Sequence, residues 1–240
     1  MRMLALAIVV LHLAVPAGST GSMFPVDAVG RLIVDGKHLC TAFPVRTEAI
    51  PFSPHADPDR SPTHRNWLVT AGHCVGRQMV YRQPIRRFRS PQGLIVYPER
   101  MHSASPVGFS GIPPGGFDIA VLEYTSSYSA PVLEPAFHHE LREGDLLLAA
   151  GYSRGVLQYS VGHYLGRNQD EQLVVDAVLS SGSSGGPVLI PGTRKVVGII
   201  VEGTPKLTGE GVYACIFKRC EVDRPYKAVP ISWILRVVRW

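Results

Sequence analysis

The stretch Ser180-Ser181-Gly182-Ser183-Ser184-Gly185-Gly186-Pro187 decides how the rest of this chain is read. It stands between two apolar, strand-like runs, Leu173 to Leu179 and Val188 to Ile190. Glycines on both sides of a serine let the backbone turn tightly, expose the hydroxyl and aim successive N–H groups at one point. An acyl-transfer site needs that geometry around its nucleophile and the oxyanion it creates. A Gly/Ser run on its own is a flexible turn, so the reading depends on what the remaining chain supplies.

With 240 residues, 45% of them hydrophobic, the chain can bury one larger core or two small ones. Its 24 glycines and 20 prolines break it into short apolar runs, which favours many short strands over long helices. The net charge of +5 is modest. Part of it lies in Arg77, Arg82, Arg86, Arg87 and Arg89, interleaved with aromatic and apolar residues. No nucleic-acid recognition motif accompanies these arginines, so a solvated strand face is expected and no nucleic-acid partner.

The first residues read as an export signal. Arg2 supplies a positive start, Leu4 to Val15 an apolar run, and Pro16 to Thr20 a turn with small residues for cleavage. Residues 1–20 are expected to be removed, with cleavage between Ala17 and Ser22. The apolar run is too short to span a bilayer. The expectation is a secreted or periplasmic protein, with no membrane association after signal removal. Four cysteines in such a protein, Cys40, Cys74, Cys215 and Cys220, fall so as to favour one disulfide in each half. Their spacing lacks the C-x-x-C of a zinc site, so no metal and no cofactor are expected.

Taken in order, Ala28 to Val34 and Lys37 to Val45 read as strands joined at Asp35-Gly36, a strong hairpin signal. Arg46 to Asn66 reads as a surface loop. Trp67 to Ala71 reads as a buried strand delivering Gly72-His73-Cys74. Strands follow at Gln78 to Tyr81 and Gly93 to Tyr97, then a second long loop from Met101 to Gly116, then a strand from Phe117 to Tyr124. Further strand candidates are Leu146 to Ala150, Gly155 to Val161, Leu173 to Leu179, Pro187 to Ile190, Val196 to Val201 and Gly211 to Phe217. Trp233, Ile234, Val237 and Val238 recur at roughly helical spacing, which predicts a short C-terminal amphipathic helix. The pattern predicts an all-β protein, most simply two barrels or sandwiches.

A hydroxyl becomes a nucleophile when a histidine beside it takes its proton and a buried carboxylate orients that histidine. His73, in Val69-Thr70-Ala71-Gly72-His73-Cys74, and Asp118, in Phe117-Asp118-Ile119-Ala120-Val121-Leu122, each lie beside an apolar strand. An unpartnered polar side chain is costly there. Either could be a structural residue in isolation; together with Ser184 they form a catalytic set. The same Gly/Ser run also fits the G-x-S-x-G turn of α/β-hydrolases. That fold places its histidine after the serine, whereas the last histidine here is His163.

These segments resemble the chymotrypsin-like (trypsin-like) serine peptidase family. The T-A-A-H-C block stands as Thr70-Ala71-Gly72-His73-Cys74, D-I-A-L-L as Asp118-Ile119-Ala120-Val121-Leu122, and G-D-S-G-G-P as Gly182 to Pro187. The likeness continues through Val197-Gly198-Ile199-Ile200, Gly211-Val212-Tyr213 and Trp233-Ile234, and so spans most of the chain after the signal. It implies two six-stranded antiparallel β-barrels packed across a cleft, with a short C-terminal helix. Residues 21–127 would form the first barrel, with His73 and Asp118, and residues 128–240 the second, with Ser184. It implies an exported serine endopeptidase acting through an acyl-enzyme. His73, Asp118 and Ser184 would be catalytic, and the N–H groups of Gly182 and Ser184 would form the oxyanion hole. A Cys40–Cys74 disulfide is implied beside His73. The expected partners are a polypeptide substrate and proteinaceous inhibitors, acting on a monomer. A protease-fold binding protein of weak or no activity is the competing expectation.

Several positions depart from the family pattern. Ser183 replaces the aspartate that pairs with a newly cut N-terminus in zymogen-type members, so other contacts should hold the oxyanion loop. This resembles the non-zymogen or glutamyl-endopeptidase-like branches. Val201 stands where a serine usually bonds the catalytic aspartate, so Asp118 needs another donor, such as a backbone N–H near His73. Val178 replaces the aspartate of trypsin-type pockets, which favours a neutral or apolar side chain on the acyl side of the scissile bond. By the same comparison Ser181, Val201, Glu202, Gly203 and Gly211 would line the cleft. Cys215 and Cys220 would be about 16 Å apart on a straight strand, against the roughly 6 Å a disulfide allows. Either Ile216 to Arg219 make a turn that closes a small disulfide loop, which is the expectation, or the two cysteines remain free.

Overall fold

In a computed structural model of the protein, the residues described are 25–34, 37–50, 63–75, 86–89, 95–96, 100–103, 118–126, 129–179, 181–202 and 226–236. The fold is nearly all β, as the short apolar runs require. A 3-10 turn at Val26–Ala28 leads into β1 (Gly30–Val34), β2 (Lys37–Ile50), β3 (Thr63–Thr70), β4 (Arg86–Arg89), β5 (Ile95–Val96), β6 (Arg100–Ser103) and β7 (Ala120–Ser126). These form one seven-stranded sheet in the order β5-β4-β1-β2-β3-β7-β6. Then come β8 (Glu134–Pro135), β9 (Leu146–Ser153), β10 (Val156–Arg167), β11 (Leu173–Val175), β12 (Pro187–Leu189), β13 (Lys195–Glu202) and β14 (Tyr226–Pro230). Their order is β12-β9-β10-β11-β14-β13-β8, and a further β12–β13 pairing closes six of them into a barrel. Among the described residues the first sheet forms a half-barrel beside this closed barrel, consistent with the expected double-barrel architecture.

Alternation along β9 explains how the halves adhere. Leu148, Ala150 and Tyr152 enter a core shared with Leu32, Phe43, Leu68, Val69 and Leu122 of the first sheet. Leu147 and Ala149 point the other way, into the closed barrel with Leu173, Val188 and Ile200. Strand side chains change face at every residue, so a strand buried on both faces reads as the unbroken apolar run Leu147 to Ala150. β13 divides likewise, with Val196, Ile199 and Val201 in the shared core and Val197 and Ile200 in the barrel. Each fully buried Leu, Ile or Phe contributes roughly 1.5–3 kcal/mol by leaving water. The larger cluster is the one joining the two sheets, which fixes their relative position.

Several expectations needed correction. Arg46 to Asn66 is not all loop: β2 runs on to Ile50 and β3 starts at Thr63, with Ile50 opposite Thr63 in register. Its polar composition concealed the strand because beyond the core the hairpin is held by ladder bonds and by contacts such as Arg46 over the Trp67 ring at 5.0 Å. Met101 to Gly116 loses its first residues to β6, which pairs with β7. Leu173 to Leu179 is a strand only to Val175. The C-terminal element is a 3-10 helix, Ile231–Arg236, preceded by β14. The strand candidates Gln78 to Tyr81 and Gly211 to Phe217 lie outside the described residues. The hairpin does hold, with Val34 opposite Lys37 on either side of Asp35-Gly36.

Candidate active site

Register brings His73 and Asp118 together. β3 and β7 are antiparallel, with Thr70 opposite Ala120, so residues just after Thr70 meet residues just before Ala120. His73 sits on α1, the single helical turn Gly72–Val75 that ends β3. Asp118 enters from the start of β7 with its side chain 2% exposed. Its Oδ2 lies 2.7 Å from His73 Nδ1, and its Oδ1 accepts the His73 backbone N–H at 2.7 Å. A buried carboxylate is costly unless hydrogen-bonded, and here both oxygens are engaged by one residue. The backbone donor expected in place of the missing serine is therefore His73's own N–H. The ring, 40% exposed, keeps its other edge available.

The serine loop is pressed against the same segment. Ser184 O accepts the Thr41 N–H at 2.8 Å and lies 3.7 Å from Cys74 Sγ. Gly185 is the closest approach: a Cβ there would lie 2.2 Å from Thr41 O and from Thr70 Oγ1, and 2.9 Å from Ala71 N. Its φ of 85°, like the 99° of Gly182, is a conformation open to glycine. The Cys40–Cys74 disulfide, Cα atoms 6.0 Å apart, pins β2 to α1 beside it.

Of the other residues singled out from sequence, Ser181 is exposed and Gly182 buried. Val178 is 37% exposed, and its N–H donates to Ser160 Oγ at 2.7 Å. Val201 is buried on β13 in the shared core. Glu202 ends β13. Gly203, Gly211, Cys215 and Cys220 lie outside the described residues. Among the described residues, Cys40, His73 and Cys74 form a trio of potential metal ligands within 4.8 Å. Both sulfurs are consumed by the disulfide, so the trio offers no thiolate to a metal.

Two supporting residues, Thr41 and Ser153, escaped the sequence reading. Thr41, fully buried, accepts the Tyr152 N–H at 2.8 Å and donates to Gly182 O at 2.9 Å through its hydroxyl. Ser183, 1% exposed in the place of the family aspartate, bonds Ser153 Oγ at 2.7 Å. No local motif marks Thr41 or Ser153, because their partners lie 30 to 141 residues away.

Two adjoining β sheets, one carrying a carboxylate-held histidine and the other a glycine-rich serine loop packed against the segment after it, have the architecture of the two-barrel serine peptidases. The sequence agrees: a trypsin-like peptidase domain matches residues 57–199, more than half of the chain, and the protein belongs to that family. Among solved structures it is similar to a serine endoprotease from Yersinia pestis, with a TM-score of 0.58 at 15% identity. That match covers 88% of this chain and 61% of the other, so this chain spans about three fifths of its length. At such low identity the likeness is one of fold. No curated protein matches.

Proposed function

We propose that the protein is an exported serine endopeptidase that cleaves polypeptides through a His73–Asp118–Ser184 triad. The observation that carries this reading is the two-point grip of buried Asp118 on His73. Ser184 Oγ attacks the scissile carbonyl while His73 takes its proton, and Asp118 holds the ring tautomer and stabilises the imidazolium. The carbonyl oxygen becomes an oxyanion received by the N–H groups of Gly182 and Ser184; one such donor typically contributes about 3 kcal/mol to lowering the barrier. His73 then protonates the leaving amine, the Ser184 acyl ester remains, and a water activated by His73 hydrolyses it. Family membership supports a polypeptide substrate, and the disulfide supports an oxidising compartment outside the cytoplasm.

Val178, in place of a pocket aspartate, favours neutral or apolar residues on the acyl side of the cleaved bond. The test is digestion of a mixed peptide library by the purified protein, with His73→Ala as control. Internal cleavage after neutral or apolar residues, absent in the control, is expected. A library left intact by a correctly folded wild type overturns the endopeptidase reading, and cleavage dominated by lysine and arginine overturns the pocket assignment.

A further inference from the structure

An oxyanion hole made of backbone N–H groups works only while its peptides keep one orientation. In a trans peptide the C=O and N–H point in opposite directions, so anchoring a carbonyl also aims the next residue's N–H. All four consecutive carbonyls from Ser181 to Ser184 are anchored. Ser181 O accepts from Arg154 N at 2.9 Å, Ser183 O from Gly186 N at 2.9 Å and Ser184 O from Thr41 N at 2.8 Å. Gly182 O accepts from Thr41 Oγ1 at 2.9 Å. Two of the four anchors thus belong to Thr41, which sits on β2 of the other sheet.

The Thr41 hydroxyl has no freedom to point elsewhere. It accepts the Tyr152 N–H at 2.8 Å, so its single proton goes to Gly182 O. The Thr41 carbonyl in turn accepts Thr70 Oγ1 at 2.8 Å, on the strand that delivers His73. One buried residue therefore joins three parts of the site: the strand before His73, the β9 end at Tyr152, and the serine loop. The anchors on Ser181 O and Ser183 O aim the Gly182 and Ser184 N–H groups, and the Thr41 hydroxyl holds the Gly182–Ser183 peptide that links those two peptides. Glycine accepts positive and negative φ almost equally, so this link has little intrinsic resistance to turning over.

We propose that Thr41 is a positioning residue for peptide hydrolysis, its hydroxyl holding the serine loop in the orientation that receives the oxyanion. This inference rests on the peptidase reading above. With the Ser183–Ser153 hydroxyl pair, it keeps the loop assembled without a carboxylate at position 183.

The test compares wild type, Thr41→Val and Thr41→Ser. Valine keeps the shape but leaves the Tyr152 N–H and the Gly182 carbonyl buried without this partner. The expected result is a fall in kcat of about 10- to 100-fold, with KM for the same peptide changed less than about threefold. Affinity for a peptide boronate, whose tetrahedral adduct occupies the oxyanion hole, should fall in step with kcat/KM. Serine, which restores the hydroxyl, should recover activity to within about threefold of wild type. The low-field proton resonance of the His73–Asp118 bond should persist in the valine variant, locating the loss in the serine loop. If valine does not fold, Thr41→Ala carries the same comparison. A wild type that cleaves peptides while the folded valine or alanine variant keeps kcat within twofold overturns this inference alone. So does a serine variant no better than valine. A folded wild type that cleaves nothing overturns the peptidase reading instead.

Discussion

Asp118 holds His73 at two points, through the ring nitrogen Nδ1 and through the backbone N–H, each at 2.7 Å. The pairing follows from the β3–β7 register, which sets Thr70 opposite Ala120. A carboxylate can accept both bonds, whereas an amide offers one acceptor oxygen and one donor group. Asp118→Asn should therefore leave the fold intact but force a compromise between ring tautomer and backbone bond. The expected loss in kcat is on the order of 10⁴-fold. Steady-state kinetics beside a thermal melt checks this; a loss under tenfold would remove Asp118 from the proposed triad.

Gly185→Ala should be far more damaging than its size suggests. Its Cβ would enter backbone and hydroxyl atoms of Thr41 and Thr70 at 2.2 Å, at a φ of 85°. The serine loop must move away from β2, taking Ser184 with it. Reaction with a serine-directed inhibitor should drop at least about a hundredfold, in line with the loss of an oxyanion donor. Labelling at the wild-type rate would show that the close approach is not needed.

The disulfide closes a sequence separation of 34. By the loop-entropy relation, the paired change Cys40→Ala with Cys74→Ala should cost about 4 kcal/mol, a fall in Tm of roughly 8–15 °C for a protein this size. Calorimetry of the oxidised wild type against the variant measures it. An unchanged Tm would mean that the bridge contributes nothing to the folded state.

Asp27 and Arg194 form an ion pair at 2.9 Å between the segment before β1 and the second barrel, both side chains about two-fifths exposed. At that exposure Asp27→Asn should cost under about 1 kcal/mol, shrinking further in high salt. Arg194→Ala should cost more, because its Nε also donates to Val132 O. Urea melts of both variants at two salt concentrations separate the contributions; a larger cost for Asp27→Asn would reverse the ranking.

What the sequence made legible, and what it did not, has a physical reason. His73, Asp118 and the glycines around Ser184 each belong to a short motif whose residue types follow from local geometry. Strands buried on both faces, such as β9, appear as continuous apolar runs. The ends of β2 and β3 did not, because their polar residues are held in place by pairing and tertiary contact: Asn66, for example, is fully buried and accepts the Ala130 N–H. β14 was concealed at Tyr226, where burial pushes the phenol pKa upward, because its short run merges with the helical pattern of Trp233 and Ile234. Thr41 was silent for another reason. A threonine in a strand is ordinary, and only the fold brings it to Gly182, 141 residues away.

The central claim is that Ser184 is a nucleophile activated by His73 and Asp118. Its most direct measurement is covalent labelling of the folded protein with a fluorophosphonate, followed by peptide mapping. One label per chain, on Ser184, is expected, abolished in Ser184→Ala and strongly slowed in His73→Ala. A folded wild type that stays unlabelled, or a label mapped to another residue, would contradict it.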